Sequence, residues 1–445
     1  MQSIQNVCYS SGQYNMRRAW LTVGLLSLLY VVSLVDRQIL VLLIGPIKAE
    51  FQIDDVQIGL LIGTAFAVVY SILGLPAGRI ADRGNRKHLV IAGAVVWCFS
   101  TIASGFAPTF MVLILLRLGL AAGEAVLTPA AHSLIGDLFP PHKRTLAASL
   151  FSAAGFIGAP LAFSGGALLI LTLENANNKW LLESFDVWQL VLFAVGAPGL
   201  LLVCIFAILV KEPARDKRNQ ANALASNGDV INQIKGNSKL YSGLFFSASL
   251  ASGCSYAVYN WTTESLIRDF GWSAVESGSI FGPLALVAAV SGVLFAPRLS
   301  QHLRERGRED AVVLVSFALA LLCTFSLGLG FLLDDPGIRL AMVGLGIFAT
   351  LGSSMNIVIS MQVVAPSRMR ATFVAILFMG MSIFGAGVAP VVVPTVAELI
   401  GLGLSVALAL VCSLLAGISS LFLLWVRADF KLAARAGFPE VISRV

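Results

Sequence analysis

The feature that most constrains this chain is a succession of long apolar stretches, separated by short segments rich in charged or turn-forming residues. About 20 consecutive apolar residues in a helix cross the roughly 30 Å hydrocarbon core of a bilayer. Hydrophobic residues make up 57% of the 445 positions and charged residues only 12%, which is too few charges to cover the surface of a soluble protein of this length. The pattern predicts an all-α membrane protein.

Twelve transmembrane helices are predicted from the apolar runs, six in each half of the chain. A long polar connection at residues 211–239 separates the two groups and has few large apolar groups to bury. We therefore expect an amino-terminal bundle at 1–210, a cytoplasmic linker at 211–239, a carboxy-terminal bundle at 240–426 and a cytoplasmic tail at 427–445. The predicted helices span residues 19–44, 56–79, 88–107, 110–137, 145–172, 187–210, 240–267, 274–297, 310–333, 338–364, 371–398 and 402–426.

The basic residues are distributed very unevenly between the two sides of this topology. Of the 30 lysines and arginines, 24 lie on one side, two lie inside helices, and four lie on the other side: Lys48, Lys179, Arg268 and Arg339. Because basic loops stay in the cytoplasm, this distribution predicts that both termini are cytoplasmic and that the protein spans the inner (plasma) membrane several times. The net charge of +6 is then a topology signal, and we expect no nucleic-acid partner.

Two short segments of the chain are weak repeats of each other. FPPHKRTLA at residues 139–147 follows the fourth predicted helix, and APSRMRATF at residues 365–373 follows the tenth. Parallel repeats of six helices are typical of transporters that bind their substrate at the interface of the repeats and rock around it. The repeats therefore predict two pseudo-symmetric six-helix bundles.

The loop between the second and third predicted helices has the sequence GRIADRGNRK at residues 78–87. It resembles the pattern GxLADRxGRK of the major facilitator superfamily, which occupies the same position in a twelve-helix plan. The resemblance implies the major facilitator fold, with a gate formed by Gly78, Asp82, Arg83 and Arg86. Gly78 would permit close helix packing, and Asp82 would lie near a neighbouring helix N-terminus, where an anion is stabilised. The alternative is that these arginines are only topology signals.

Four ionisable residues lie inside the predicted helices of the first half: Asp36 and Arg37 in the first helix, and Arg117 and Glu124 in the fourth. A charge at this depth is costly unless it faces a partner or a wet cavity. Two positive and two negative groups at similar depths predict a paired network between the two helices. Carboxylates in such a network can change protonation state when an arginine partner leaves. The alternative is a fixed ion-pair cluster that only orients the helices.

These charges also carry a narrower resemblance. The pair Asp36-Arg37, the segment RLGLAAGEA at residues 117–125, and Asn85 in place of the superfamily's usual glycine are similar to the spinster group of the superfamily. The resemblance implies transport of an anionic or zwitterionic amphiphile, such as a lysophospholipid or a sphingosine-phosphate-like molecule. We expect the four buried charges to bind this substrate or to couple its movement to protons.

The seventh predicted helix is unusually polar for a membrane span. Tyr259 and Asn260 share a face with Tyr256 at helical spacing. We expect this face to line the substrate cavity opposite the first helix. The alternative is a group of aromatic side chains at the membrane interface.

Together these features predict a secondary active transporter that works by alternating access and is coupled to protons. We expect a monomer in the lipid bilayer with a small-molecule or lysolipid substrate and with neither a cofactor nor a metal, since the six cysteines lack metal-ligand spacing. The alternatives are a uniporter, an exporter of drugs or organic anions, and a non-transporting sensor derived from such a protein. An enzyme is not expected, because the sequence shows no His/Asp/Glu cluster at helical depth.

The predicted topology can be tested with a cysteine introduced at Asn227, in the long polar connection. Because the charge distribution places this segment in the cytoplasm, an impermeant thiol reagent should modify the cysteine only from the inside. Labelling from outside intact cells would contradict the topology.

Overall fold

The computed structural model describes residues 16–175, 183–213, 227–366 and 368–437, and every regular element within these ranges is a helix. Eleven helical segments of the described chain are long and apolar enough to cross a membrane. A twelfth long helix, Ser238–Phe270, has 33 residues but is more polar, as the sequence predicts for the seventh span. The predicted all-α membrane fold is confirmed.

We number the long segments α1 to α12 in chain order. They are α1 Met16–Phe51, α2 residues 55–83, α3 Arg86–Ser104, α4 Phe110–Leu138, α5 Pro141–Glu174, α6 Val187–Leu209, α7 Ser238–Phe270, α8 Ala274–Glu305, α9 Ala311–Gly330, α10 Pro336–Val364, α11 residues 370–400 and α12 Leu404–Gly437.

Helix extends beyond the predicted bounds in several regions, and two of these regions pack together. The polar connection includes a helix at Asn227–Gly236, and α12 continues eleven residues beyond its predicted end at 426. Both extensions share one cause, since Val230 of the short helix and Phe430 and Ala434 of α12 are buried in the same apolar cluster. Amphipathic packing at the helix ends therefore stabilises segments whose overall composition is polar.

Several long segments are not regular α-helices throughout. In α1 a 3₁₀ stretch at Ile39–Leu43 separates two α-helices. The π-helical stretch Leu60–Thr64 interrupts α2, and a second one, Ser382–Val388, interrupts α11. These two π-helical stretches meet, because the Thr64 hydroxyl donates a hydrogen bond to the carbonyl of Gly387 at 2.5 Å.

The two halves of the chain, α1–α6 and α7–α12, contact each other mainly near one end of the molecule. We call the end with residues 84–85, 140 and 211–213 the linker face, and the end with residues 52–54 and 271–273 the opposite face. Near the opposite face α5 packs against α8 so closely that a Cβ at Gly282 would lie 2.9 Å from the carbonyl oxygen of Pro160. The contact between α2 and α11 also lies towards this face, where Gly63 meets the Pro390 ring. The halves are thus held together at the opposite face.

An ion-pair cluster joins the halves at that face. Arg268, at the end of α7, donates to both carboxylate oxygens of Asp55 of α2, at 2.5 and 2.8 Å. Its Nε also donates to Glu264 at 2.8 Å, and Lys48 of α1 pairs with Asp55. The next residue, Asp269, is bound within its own half, by Arg339 of α10. On α7, Arg268 therefore forms an ion pair between the halves, whereas the adjacent Asp269 forms an ion pair within its own half.

We expect Arg268→Gln to loosen the opposite face, because the amide side chain cannot form the bidentate pair with Asp55. Loss of an ion pair at this exposure costs about 1 kcal/mol or less, which shifts a two-state equilibrium by up to about fivefold. Spin labels at the exposed positions Glu50 and Leu402 would report this as longer distances by double electron–electron resonance. Asp269→Asn is the matched control, since its ion pair lies within one half. Equal distance distributions in both variants would contradict the assignment.

Candidate functional site

The structure brings together three of the four charges that the sequence places inside α1 and α4. Arg37 and Glu124 form an ion pair at 2.6 Å between Nη2 and Oε2. Their side chains are 12% and 1% exposed. Arg117 is also buried, but it donates to the backbone carbonyls of Asp36 at 3.2 Å and of Arg37 at 3.1 Å. The predicted network between the two helices is therefore built from one ion pair and one arginine bound to the backbone.

The position of Arg117 follows from the local structure of α1. The α-helix Met16–Gln38 ends immediately before the 3₁₀ stretch, and the last carbonyls of an α-helix lack partners along the helix. The Arg117 guanidinium supplies donors to two of these carbonyls. A cation at a helix C-terminus is also favoured by the helix dipole.

Asp36 does not form the arginine pair that the sequence predicts. It is fully buried, and neither carboxylate oxygen accepts a hydrogen bond from the part of the chain that the structure describes. Thr101 of α3 is the polar side chain that approaches it, but the Thr101 hydroxyl donates to the carbonyl of Trp97 at 3.1 Å. The expected pairing of the four charges is therefore realised for Arg37 and Glu124, whereas Arg117 binds the end of the α1 helix and forms no ion pair with Asp36. A buried carboxyl group outside an ion pair is a candidate proton-binding site.

A cavity of about 210 Å³ lies between the two halves beside this cluster. Of the four buried charges, only Arg37 lines it. Tyr259 and Tyr256 of α7 line it from the other half, whereas Asn260 is not in its wall. The remaining lining residues are Leu34 and Gln38 of α1, Gly155, Ala159 and Pro160 of α5, Ser255 of α7, Ala289 of α8 and Leu351 of α10.

The placement of Asn260 corrects the sequence prediction that it shares the cavity wall with Tyr259. Its side chain is 1% exposed, and its amide oxygen has no hydrogen-bond donor within the described ranges. Asn260 shares a helical face with Tyr256 but lies about one turn further along α7, where its side chain is buried outside the cavity wall. Sequence reasoning missed the small residues of α5. Gly155 and Ala159 lie at i and i+4 on one helical face, and that spacing is the signal by which they could have been found.

The loop at residues 78–87 forms its own cluster at the linker face. Arg86 is 1% exposed, and it binds the Asp137 carboxylate at the end of α4. It also binds Glu212 after α6, at 2.7 Å between Nε and Oε1. Glu212 in turn accepts a hydrogen bond from the backbone of Lys87 at 2.8 Å. These contacts tie together the linker-face ends of α3, α4 and α6, all within the first half.

The other predicted gate residues are placed differently. Arg83 is exposed, and the side chain of Asp82 lies outside the described residues. The close packing predicted at Gly78 is wrong for this conformation, since a Cβ there would approach only Pro129, at 4.0 Å. The reason is that the halves meet at the opposite face, far from the linker-face end of α2.

Comparison with known proteins agrees with this architecture. The chain matches the Major Facilitator Superfamily over residues 26–390. It is 28% identical to an MFS-type efflux pump of Mycolicibacterium smegmatis over 86% of this chain and 85% of that protein. It is 27% identical to protein spinster homolog 3 of Danio rerio over 86% of this chain and 78% of that protein.

The fold also agrees with a solved structure. A bacterial homolog to the human lysosomal transporter spinster, crystallised in an inward-facing and unoccupied conformation, superposes with a TM-score of 0.78 at 23% identity. The superposition covers 94% of this chain and 98% of that chain. Since the family match spans most of the sequence and the fold agrees with it, the chain belongs to the Major Facilitator Superfamily and is a transporter similar to the spinster proteins.

Proposed function

We propose that this transporter moves an anionic or zwitterionic single-chain amphiphile, of the lysophospholipid or sphingosine-phosphate type, and that Arg37 binds its head group. The observation that carries the proposal is the position of Arg37. Of the buried charges in α1 and α4 it alone lines the cavity, its side chain is 12% exposed, and its ion pair with Glu124 is formed through the Nη2 atom. An arginine with donors outside its ion pair is suited to a phosphate or carboxylate oxygen.

The shape of the cavity supports a head group with an attached tail. Sites for whole drug-sized molecules measure about 300 to 1,000 Å³, so a volume of about 210 Å³ suits a polar head and the start of a chain. Arg37 and Gln38 supply the polar side of the wall, while Leu34, Ala159 and Leu351 supply apolar surface. A substrate with one charged end and one apolar end satisfies both parts. The similarity to an efflux pump favours an exporter of drugs or organic anions as the second candidate.

The transport cycle that we propose uses the two six-segment bundles, 1–210 and 240–426, as bodies that rock about the cavity. Contacts at the opposite face hold one state, and we infer that the cavity is reached from the linker face in that state. With the linker face in the cytoplasm of the inner membrane, as the basic residues favour, this state faces inward. The site lies within one chain, so a monomer suffices.

The substrate proposal is tested by binding to the purified protein. We expect a lysophosphatidic acid to raise the thermal stability, because a ligand of the folded state stabilises it. Arg37→Gln should weaken that binding about 10- to 100-fold, the value of a hydrogen bond to a charged group. Arg306→Gln, which changes an exposed arginine at the end of α8 far from the cavity, is the control. Competition by short sugars but not by lysolipids would refute the proposed substrate class.

Proton coupling is proposed from the same ion pair. When the substrate head group binds Arg37, the ion pair with Glu124 breaks. The Glu124 side chain is 1% exposed, and a buried carboxylate that loses its counter-charge binds a proton more readily. Release of the substrate lets the proton leave and the pair form again. Asp36, whose buried carboxylate oxygens accept no hydrogen bond from the described residues, is our second proposed proton-binding group, and it does not depend on Arg37.

Glu124→Gln is expected to keep substrate binding but to lose its response to a pH gradient, because the amide resembles the protonated acid permanently. Flux in proteoliposomes with and without an imposed gradient measures this, and we expect a stimulation of at least about tenfold in the wild type to disappear. Asp36→Asn should remove only part of the response. If the wild type ignores the gradient and Glu124→Gln transports normally, the carboxylates are structural and the protein is a uniporter.

A further inference from the structure

The guanidinium of Arg37 lies against two aromatic rings of α2. Its Cζ atom is 3.9 Å from the centroid of the Phe66 ring and 5.3 Å from that of Tyr70. The two rings are stacked on each other, with centroids 5.2 Å apart and planes 24° apart. Phe66 is 1% exposed. Both distances are within the roughly 6 Å range of a cation–π interaction, which strengthens when water is excluded.

These contacts fix the orientation of Arg37. The Nη2 atom is bound to Glu124 at 2.6 Å, and the Cζ atom lies over the Phe66 ring. A guanidinium that is held by an ion pair and by a ring cannot rotate freely. Because Arg37 lines the cavity and its side chain is 12% exposed, its exposed part is available to a ligand there. Without the ring, the ion pair alone would leave several rotamers open to the long side chain.

The Phe66 ring is itself held by the contact between the halves. It follows the π-helical stretch Leu60–Thr64, and Thr64 binds the carbonyl of Gly387 in α11. Ala67, the next residue along, would contact a Cβ at Gly387 at 3.3 Å. π-Helical interruptions often occur at functional sites because they redirect the side chains that follow. Here the interruption precedes the residue that reaches Arg37.

We propose that Phe66 is a positioning residue for the substrate: its ring face holds Arg37 so that the exposed part of the guanidinium meets an anionic head group. This inference rests on the proposed function, since it requires Arg37 to bind the substrate. It goes beyond that function because it names Phe66 as a residue that increases the preference for an anionic ligand without contacting the charged group of that ligand. The aromatic face is the required property, and apolar bulk alone is insufficient.

Three substitutions at Phe66 separate these properties. Phe66→Leu keeps an apolar side chain but removes the ring, whereas Phe66→Tyr and Phe66→Trp keep an aromatic face. The matched control is Phe151→Leu in α5, a buried phenylalanine that stacks on Tyr30 with centroids 5.1 Å apart. Loss of a buried aromatic side chain should lower the thermal stability of both leucine variants. Stability alone therefore does not test the proposal.

The decisive readout is the preference for an anionic ligand. Binding of a lysophosphatidic acid and of the uncharged monoacylglycerol with the same chain is measured on each full-length variant in detergent micelles. Phe66→Leu should weaken binding of the anionic ligand about 3- to 30-fold and leave the uncharged ligand nearly unchanged. Phe66→Tyr or Phe66→Trp should restore the preference, and Phe151→Leu should retain it.

Two contrary results have different meanings. If Arg37→Gln abolishes the preference but Phe66→Leu retains it, Phe66 does not position the arginine, and the proposed function stands. If Arg37→Gln binds the anionic ligand as well as the wild type does, the proposed function fails and the inference about Phe66 fails with it.

Discussion

The ion pair between Arg37 and Glu124 is the interaction on which the site depends. Removing one partner of a buried pair leaves an uncompensated charge and typically costs about 3–5 kcal/mol, whereas apolar packing would often be at least as stable as the intact pair. A pair of this kind therefore adds little net stability to a fold, but its arginine can exchange the carboxylate partner for a ligand. Its arginine faces the cavity and its carboxylate does not, so a ligand can compete for the cation while the anion stays buried.

The departures from regular helix lie next to the residues of this site. The 3₁₀ stretch of α1 begins directly after Asp36, Arg37 and Gln38. The first α-helix of α4 ends at Glu124, and the π-helical stretch of α2 ends two residues before Phe66. Each interruption changes the direction of the side chains near it and leaves backbone groups that need other partners. Arg117 fills that need in α1. Irregular backbone at this depth is tolerated where protein encloses it or a cavity adjoins it.

Much of the architecture could be predicted from the sequence, because apolar length and charge distribution are properties of whole segments. Helix number, the polar character of α7 and the depth of the four charges follow from such properties. The interaction partners of those charges cannot be predicted from such properties. Asp36 was expected to meet an arginine, but the end of the α1 helix competes for Arg117, and helix periodicity does not indicate where an α-helix becomes 3₁₀. The same limit explains why the placement of Asn260 was predicted wrongly, since the direction of its side chain depends on the rotation of α7. It also explains why the helix at Asn227–Gly236 was not predicted, since that helix depends on packing against distant residues.

Three buried arginines form ion pairs within a single half, whereas the arginine that joins the two halves is more exposed. Within the first half, Arg86 and Arg37 are paired at side-chain exposures of 2% and 12%, and within the second half Arg339 is paired at 4%. Between the halves, Arg268 is 32% exposed. Breaking a buried pair strands a desolvated charge, whereas an exposed pair exchanges its partner for water at a cost of about 1 kcal/mol or less. The buried pairs of Arg86 and Arg339 are therefore suited to holding each half together, and the more exposed pair of Arg268 lies where the halves must separate. Three of the four basic residues on the sparsely charged side form ion pairs near the opposite face: Lys48, Arg268 and Arg339. Of these three cations Arg268 is the one that binds across the halves, and a cation at that position can hold the opposite face closed and release it when the halves separate.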